Sequence, residues 1–292
     1  MATVAQTIKD IKDLKVQGAR DVAKAGIICI KTTAEKSRAK NKRAFVSDLQ
    51  KVVDKLVRAR VTEPMLKNSL KIIMLKVHEH GFENIKQFTS RLCENYLIEL
   101  RSLLNEIAEE GANQIMDGDV ILTHCHSDSV LEALRLAKKQ GRRFEVIVTE
   151  TEPRGQGILT AKDLLKSGIK VTFCVDSAVG HVMGSVDKVM MGCDAILPDG
   201  SIVNKIGTFP ISIVAMQFAR PVYILAETLK YTRKVEIEQR DPREIIDPKK
   251  IKGAKIINPA FDVTPAEYVH VLVTERGLMS PEAVRELLAE EV

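Results

Sequence analysis

Between residues 4 and about 112, apolar side chains recur at intervals of three and four. Phe45, Leu49, Val52, Val53, Leu56 and Val57 form one such series, and Leu97, Leu100, Leu103, Leu104 and Ile107 form another. This spacing predicts one amphipathic helix after another. Glycine is scarce in this stretch, and Gly81 and Gly111 read as helix stops. From Asp117 the pattern changes. Short β-rich runs at 120–123, 144–148, 171–175, 188–191, 222–225 and 269–273 alternate with helical stretches such as 130–140 and 160–166. Apolar runs that alternate with helices predict a mostly parallel, doubly wound sheet covered on both faces. The expected architecture is α/β: a helical domain over 1–115 and a sheet domain over 116–292, joined at the turn Asp117-Gly118-Asp119 rather than by a long linker.

With 292 residues and 45% hydrophobic content, the chain can bury a substantial core. No apolar run approaches the roughly 20 residues of a membrane span, and the first residues lack the apolar stretch of a secretory signal. Five cysteines without a CxxC point to free thiols in a reducing compartment, hence a cytoplasmic protein. The net charge of +5 suits an anionic ligand. Aromatics make up 4% and Trp is absent, which argues against a base-stacking surface and against nucleic acid as a partner. The basic run at 36–43 reads first as a solvated helix end, and second as a surface for an anionic partner.

Ligands of doubly wound sheets bind beyond the carboxyl ends of the strands. The first run ends in His124-Cys125-His126-Ser127, the second leads to Arg154-Gly155-Gln156-Gly157, and the fourth ends in Gly192-Cys193-Asp194. A strand cysteine is usually a small core residue, the reading given to Cys29, Cys93 and Cys174. Cys125 differs, because it leaves its strand between two histidines with Ser127 opening a helix. A helix N-terminus and a nearby cation are expected to lower its pKa and fit it to abstract a proton from carbon. Successive side chains of an extended chain alternate faces, so His124-Cys125-His126 is not expected to hold a metal. Asp194 follows an apolar strand, where a carboxylate tends toward a raised pKa and can donate a proton. Its plainer readings are a helix N-cap or a satisfied buried Asp. Asn204-Lys205-Ile206-Gly207-Thr208 is expected to open an apolar helix running to about Phe218, and Lys, Gly and Thr at a helix start suit phosphate. The Arg154 to Gly157 loop offers a second anion cradle. No GxGxxG follows a strand, so a nicotinamide cofactor is not indicated.

Thr123-His124-Cys125-His126-Ser127, Gln156-Gly157, Gly192-Cys193-Asp194, Asn204-Lys205-Ile206-Gly207-Thr208 and Asn258-Pro259-Ala260-Phe261-Asp262-Val263-Thr264-Pro265 resemble one family. It joins the regulatory subunits of translation initiation factor 2B to the methylthioribose-1-phosphate isomerases, and the resemblance is nearest its archaeal ribose-1,5-bisphosphate isomerase branch. The resemblance implies a Rossmann-like second domain and a homo-oligomer built from dimers, expected to be a hexamer. It implies an aldose–ketose isomerase with Cys125 as proton acceptor and Asp194 as proton donor, acting on a phosphorylated sugar without cofactor or metal. Gly18, Ala19, Arg20, Arg60, Ser127, Arg154, Gln156, Gly157, Asn204, Lys205 and Lys230 are the implied substrate-binding residues. The chain departs from the isomerase pattern at Gln17-Gly18-Ala19-Arg20, at Ala59-Arg60-Val61-Thr62, at Glu152, where the isomerases carry Arg, and at Asp128. The rival expectation is a non-catalytic regulatory subunit that binds a sugar phosphate or nucleotide.

Overall fold

A computed structural model describes residues 3–290 of the protein. The chain divides into two compact units, Met1–Leu103 and Leu104–Val292. The boundary falls inside a single long helix.

The first unit holds α1 (Val4–Lys12), α2 (Ala19–Lys36), α3 (Lys42–Ala59), α4 (Pro64–Glu79) and most of α5 (Ile85–Asn113). The 3.6-residue pattern becomes packing on α3, where Phe45, Leu49 and Leu56 are buried. The basic run falls across the junction of α2 and α3. Asn41 caps α3 by accepting the Ala44 N–H at 2.9 Å. Gly81 follows the end of α4, as a stop should. Gly111 does not stop a helix: it lies within α5, and a Cβ there would meet Leu225 at 2.7 Å and Ala133 at 2.9 Å. Close packing, not chain termination, explains that glycine.

The second unit adds β1 (Val120–Thr123), α6 (Asp128–Lys139), β2 (Glu145–Thr149), α7 (Gln156–Lys166), β3 (Lys170–Cys174), α8 (Val179–Val182), β4 (Lys188–Gly192), β5 (Ala195–Ile196), β6 (Ile202–Lys205), α9 (Thr208–Gln217), β7 (Val222–Leu225), β8 (Phe261–Thr264), β9 (Val271–Thr274), β10 (Gly277–Met279) and α10 (Pro281–Glu290). Seven strands form the main sheet in the order β10-β9-β7-β4-β1-β2-β3. All its pairings are parallel except β9 with β10. Ile121, Val146, Val148 and Met190 face one apolar cluster, and Leu122, Ile147, Val189 and Met191 face the other. The alternation of faces along each strand builds both cores. Cover on both faces fails at β3, the edge strand, where Phe173 stays 46% exposed.

A second, antiparallel sheet of β5, β6 and β8 was not legible as strands. β5 has two residues, and β6 ends in the polar pair Asn204-Lys205. Those two residues therefore lie on a strand, not at a helix start; α9 begins at Thr208 with Gly207 as its cap, φ 106°.

Candidate active site

The chain runs outward from β1 to β2 and β3, then returns to the opposite side of β1 as β4. Strand order reverses between β1 and β4, and in an open α/β sheet the crevice at such a point, beyond the strands' carboxyl ends, is where ligands bind. Cys125 is the second residue past the end of β1, and Asp194 is the second past the end of β4. The topology thus brings the thiol and the carboxylate to the same crevice. They are near enough that the Asp194 charge opposes ionisation of the thiol. Asp194 caps no helix: it links β4 to β5, is half-buried, and its N–H donates to Val203 O at 2.8 Å.

His124 fixes the segment that carries Cys125. The ring is buried, which lowers its pKa and keeps it neutral. Nε2 lies 2.9 Å from Ile206 O, an acceptor, so Nε2 carries the proton. Nδ1 therefore accepts from the Thr149 hydroxyl at 2.5 Å. The neighbouring His126 turns to another partner. The Thr160 hydroxyl donates to Cys125 O at 2.6 Å, and His126 Nδ1 lies 3.0 Å from that hydroxyl oxygen and donates to it. Ser127 opens α6 and packs so closely on β4 that a Cβ at Gly192 would lie 2.5 Å from its hydroxyl.

The expected low pKa of Cys125 is corrected by the structure. Burial dominates and pushes the thiol up to about 11. The Lys205 ammonium acts in the opposite direction but does not prevail, and the carboxylates of Asp194 and Asp176 add to the upward shift. Lys205 Nζ stands 5.0 Å from the centroid of the Phe261 ring, a cation–π contact from β8. Asn204 is buried, and its amide donates to the Thr208 hydroxyl at 2.9 Å.

The remaining anion-binding candidates differ in how free they are. Gly157 must be glycine, because a Cβ would lie 1.8 Å from Thr149 O where α7 starts against β2. Gln156 is the first residue of that helix. Arg154 is paired with Glu244 at 2.8 Å. Lys230 is buried and paired with Glu227 at 3.0 Å. In the first unit, Gly18 caps α2 with φ 81°, Ala19 begins the helix, and Arg20 is buried with its guanidinium donating to Leu100 O. Arg60 is buried against Glu63 at 2.5 Å. The resemblance gave these arginines and Lys230 as ligand groups, and each already has a protein partner.

Comparison with known proteins matches residues 15–281 to the Initiation factor 2 subunit family. The chain belongs to that family. A ribose 1,5-bisphosphate isomerase of Pyrococcus furiosus is 37% identical over 99% of this chain and 94% of its own length. One of Thermococcus kodakarensis is 38% identical, with the same coverage. The crystal structure of translation initiation factor eIF-2B from Pyrococcus horikoshii superposes with a TM-score of 0.84 at 30% identity, covering 95% of this chain and 97% of that one.

Within this family member, sequence reasoning passes over the residues that hold the site in shape. Thr151, Thr160 and Asp176 bind the backbone around Cys125, and Glu227 and Glu244 hold two of the cations. Asp262 stands out in the sequence only as part of a motif string, yet its Oδ2 accepts the N–H groups of Gly207 at 2.8 Å and Phe209 at 3.2 Å. Single polar residues carry no periodic signal, whether in a loop, on a helix as Thr160 is, or on a strand as Asp262 is, so only the fold reveals them. A groove of roughly 560 Å³ on the first unit is lined by His80, Asn84, Gln87, Phe88, Arg91, Leu92 and Asn95. It contains neither thiol nor carboxylate and offers no acid–base pair. Among the described residues, no helix is long and apolar enough to cross a membrane.

Proposed function

We propose that the chain is an aldose–ketose isomerase that converts ribose 1,5-bisphosphate to ribulose 1,5-bisphosphate. The observation that carries this reading is the convergence of Cys125 and Asp194 on the crevice between β1 and β4, with the Lys205 charge beside the thiol. The relatives bearing the isomerase name match nearly end to end, which supports the same substrate.

A ribose blocked by phosphate at C1 cannot open its ring freely. Asp194 donates its proton to the ring oxygen as the C1–O bond breaks, leaving a carbonyl-like C1. The Cys125 thiolate then removes the proton at C2, and the C–H electron pair forms a C1=C2 enol. The thiol returns that proton to C1, and the C2 hydroxyl gives its proton to the Asp194 carboxylate as the ketone forms. Both groups end as they began. The reactive form of the pair carries its proton on Asp194 and its negative charge on Cys125, an arrangement that Lys205 favours. Burial makes that thiolate scarce and strongly basic, which suits removal of a proton from carbon.

Lys205, Asn204, Ser127, Gln156 and Gly157 would bind the sugar phosphate by charge-assisted and backbone hydrogen bonds, with Arg154 and Lys230 exchanging a carboxylate partner for phosphate. Gly18, Ala19, Arg20 and Arg60 enter this reading through the family resemblance alone. The same reading carries a cytoplasmic homo-oligomer built from dimers, expected to be a hexamer. Exposed apolar residues at the β3 edge, Phe173 and Val175, and Leu165 of α7 support assembly. Light scattering at micromolar concentration tests it, and a monomeric mass counts against it. Incubation with ribose 1,5-bisphosphate, followed by NMR, tests the activity.

A further inference from the structure

The turn between β6 and α9 touches both halves of the proposed chemistry. It begins right after Lys205, whose charge acts on the Cys125 thiol. Its Ile206 carbonyl accepts from His124, the residue before Cys125. Its Gly207 packs on the His124 ring, where a Cβ would stand 3.1 Å from two ring atoms. A shift of this turn would carry Lys205 away from the thiol.

One residue fixes the turn from outside it. Asp262 lies opposite Asn204 in the β6–β8 pairing, and Phe261 lies opposite Lys205. Asp262 Oδ2 accepts both Gly207 and Phe209 N–H groups, so the first amides of α9 are already engaged by a carboxylate. These are the amides that a phosphate at a helix N-terminus would otherwise use. Asp262 Oδ1 is buried with no hydrogen-bond partner. A carboxylate with one bare buried oxygen is a poor choice for stability alone. We propose that Asp262 is a positioning residue that pins the β6–α9 turn and so holds Lys205 beside Cys125. Phe261 completes the support by placing its ring against the ammonium. Lys205 itself, rather than the amides of α9, is then the group left to meet substrate phosphate. The inference rests on the reading of Cys125 and Lys205 as partners in one site.

Alkylation of Cys125 by iodoacetamide at pH 9, quantified on the Cys125 peptide by mass spectrometry, reads the thiolate fraction with no sugar phosphate present. In Asp262→Ala the rate falls by up to about tenfold, the effect of one pK unit when the lysine charge moves away. Asp262→Asn keeps an acceptor for both amides and keeps the wild-type rate. In a Lys205→Met background, Asp262→Ala has no further effect, because the charge it positions is gone. An unchanged or faster rate in folded Asp262→Ala, a slowed Asp262→Asn, or equal slowing in both backgrounds overturns the proposal. Should Asp262→Ala lack a cooperative melting transition, Asp262→Ser, too short to reach both amides, takes its place with the same expected slowing and the same contradicting results. The assay needs no turnover, so failure of the isomerase reading and failure of this one are separate results.

Discussion

The Cys125 N–H donates to the Thr151 hydroxyl at 2.9 Å, and both residues hold left-handed backbone, with φ 66° and 63°. For a β-branched residue this conformation is a genuine outlier, and strain of this kind costs about 1–3 kcal/mol per residue. It is over-determined by Asp176, whose carboxylate accepts the N–H groups of Thr151 and Glu152, each at 2.8 Å. The end of β2 thereby fixes the backbone of the residue that leaves β1. Thr151→Val keeps the shape and removes the acceptor; turnover is expected to fall about tenfold or more, since small misplacements of reacting groups are costly. Thr151→Ser, which keeps the acceptor, is expected to stay near wild type. Steady-state kinetics on the two variants decide this.

Cys125→Ser is expected to abolish turnover and leave the melting temperature at neutral pH close to wild type. The thiol sits near 11 when folded, so its thiolate fraction grows about tenfold per pH unit below that value. Alkylation of Cys125 should therefore climb with pH from 7 towards 10, whereas turnover climbs less, because the reactive pair also needs the proton on Asp194. Stability follows the opposite sign. The unfolded thiol ionises near 9.0, so the contribution of Cys125 is full below pH 9 and is lost between 9 and 11. Cys125→Ser lacks that loss, which melting curves of both proteins across this range would show.

Asp194→Asn keeps the shape of the side chain and cannot donate the ring-opening proton. Turnover is expected to fall by about 10²–10⁴-fold, with little change in substrate affinity. Near-normal turnover rejects the acid role.

Glu244 and the substrate phosphate compete for Arg154 in this account. Glu244→Gln frees the guanidinium and is expected to lower KM, whereas Arg154→Met raises it. Stability should change by only about 0–1 kcal/mol in either case, because the pair is partly exposed. Equal KM values in all three proteins would remove Arg154 from phosphate binding.

The six predicted main-sheet runs are legible because each is a short, mostly apolar segment that alternates with helical stretches. β6 and β8 are not, because Asn204, Lys205 and Asp262 interrupt them for reasons of the site. Local rules are expected to fail at functional positions. Cys125 and Asp194 can be picked out because each stands just beyond the carboxyl end of an apolar run, and the reversal of strand order explains why those two ends share a crevice. The sign of the Cys125 shift is not legible, because a sequence shows neighbouring cations and helix ends but not depth of burial. Likewise, Glu63 and Glu227 stand close in sequence to Arg60 and Lys230, yet the burial of both pairs is visible only in the fold.

Isomerisation itself is the most direct test. Wild-type protein and Cys125→Ser are incubated with ribose 1,5-bisphosphate in deuterated buffer, and the sugar is tracked by ¹³C NMR. The expected result is a C2 ketone signal in the wild-type sample and unchanged aldose in the mutant. Unchanged aldose in both samples, with ligand binding still detected, would contradict the isomerase account and put the regulatory reading in its place.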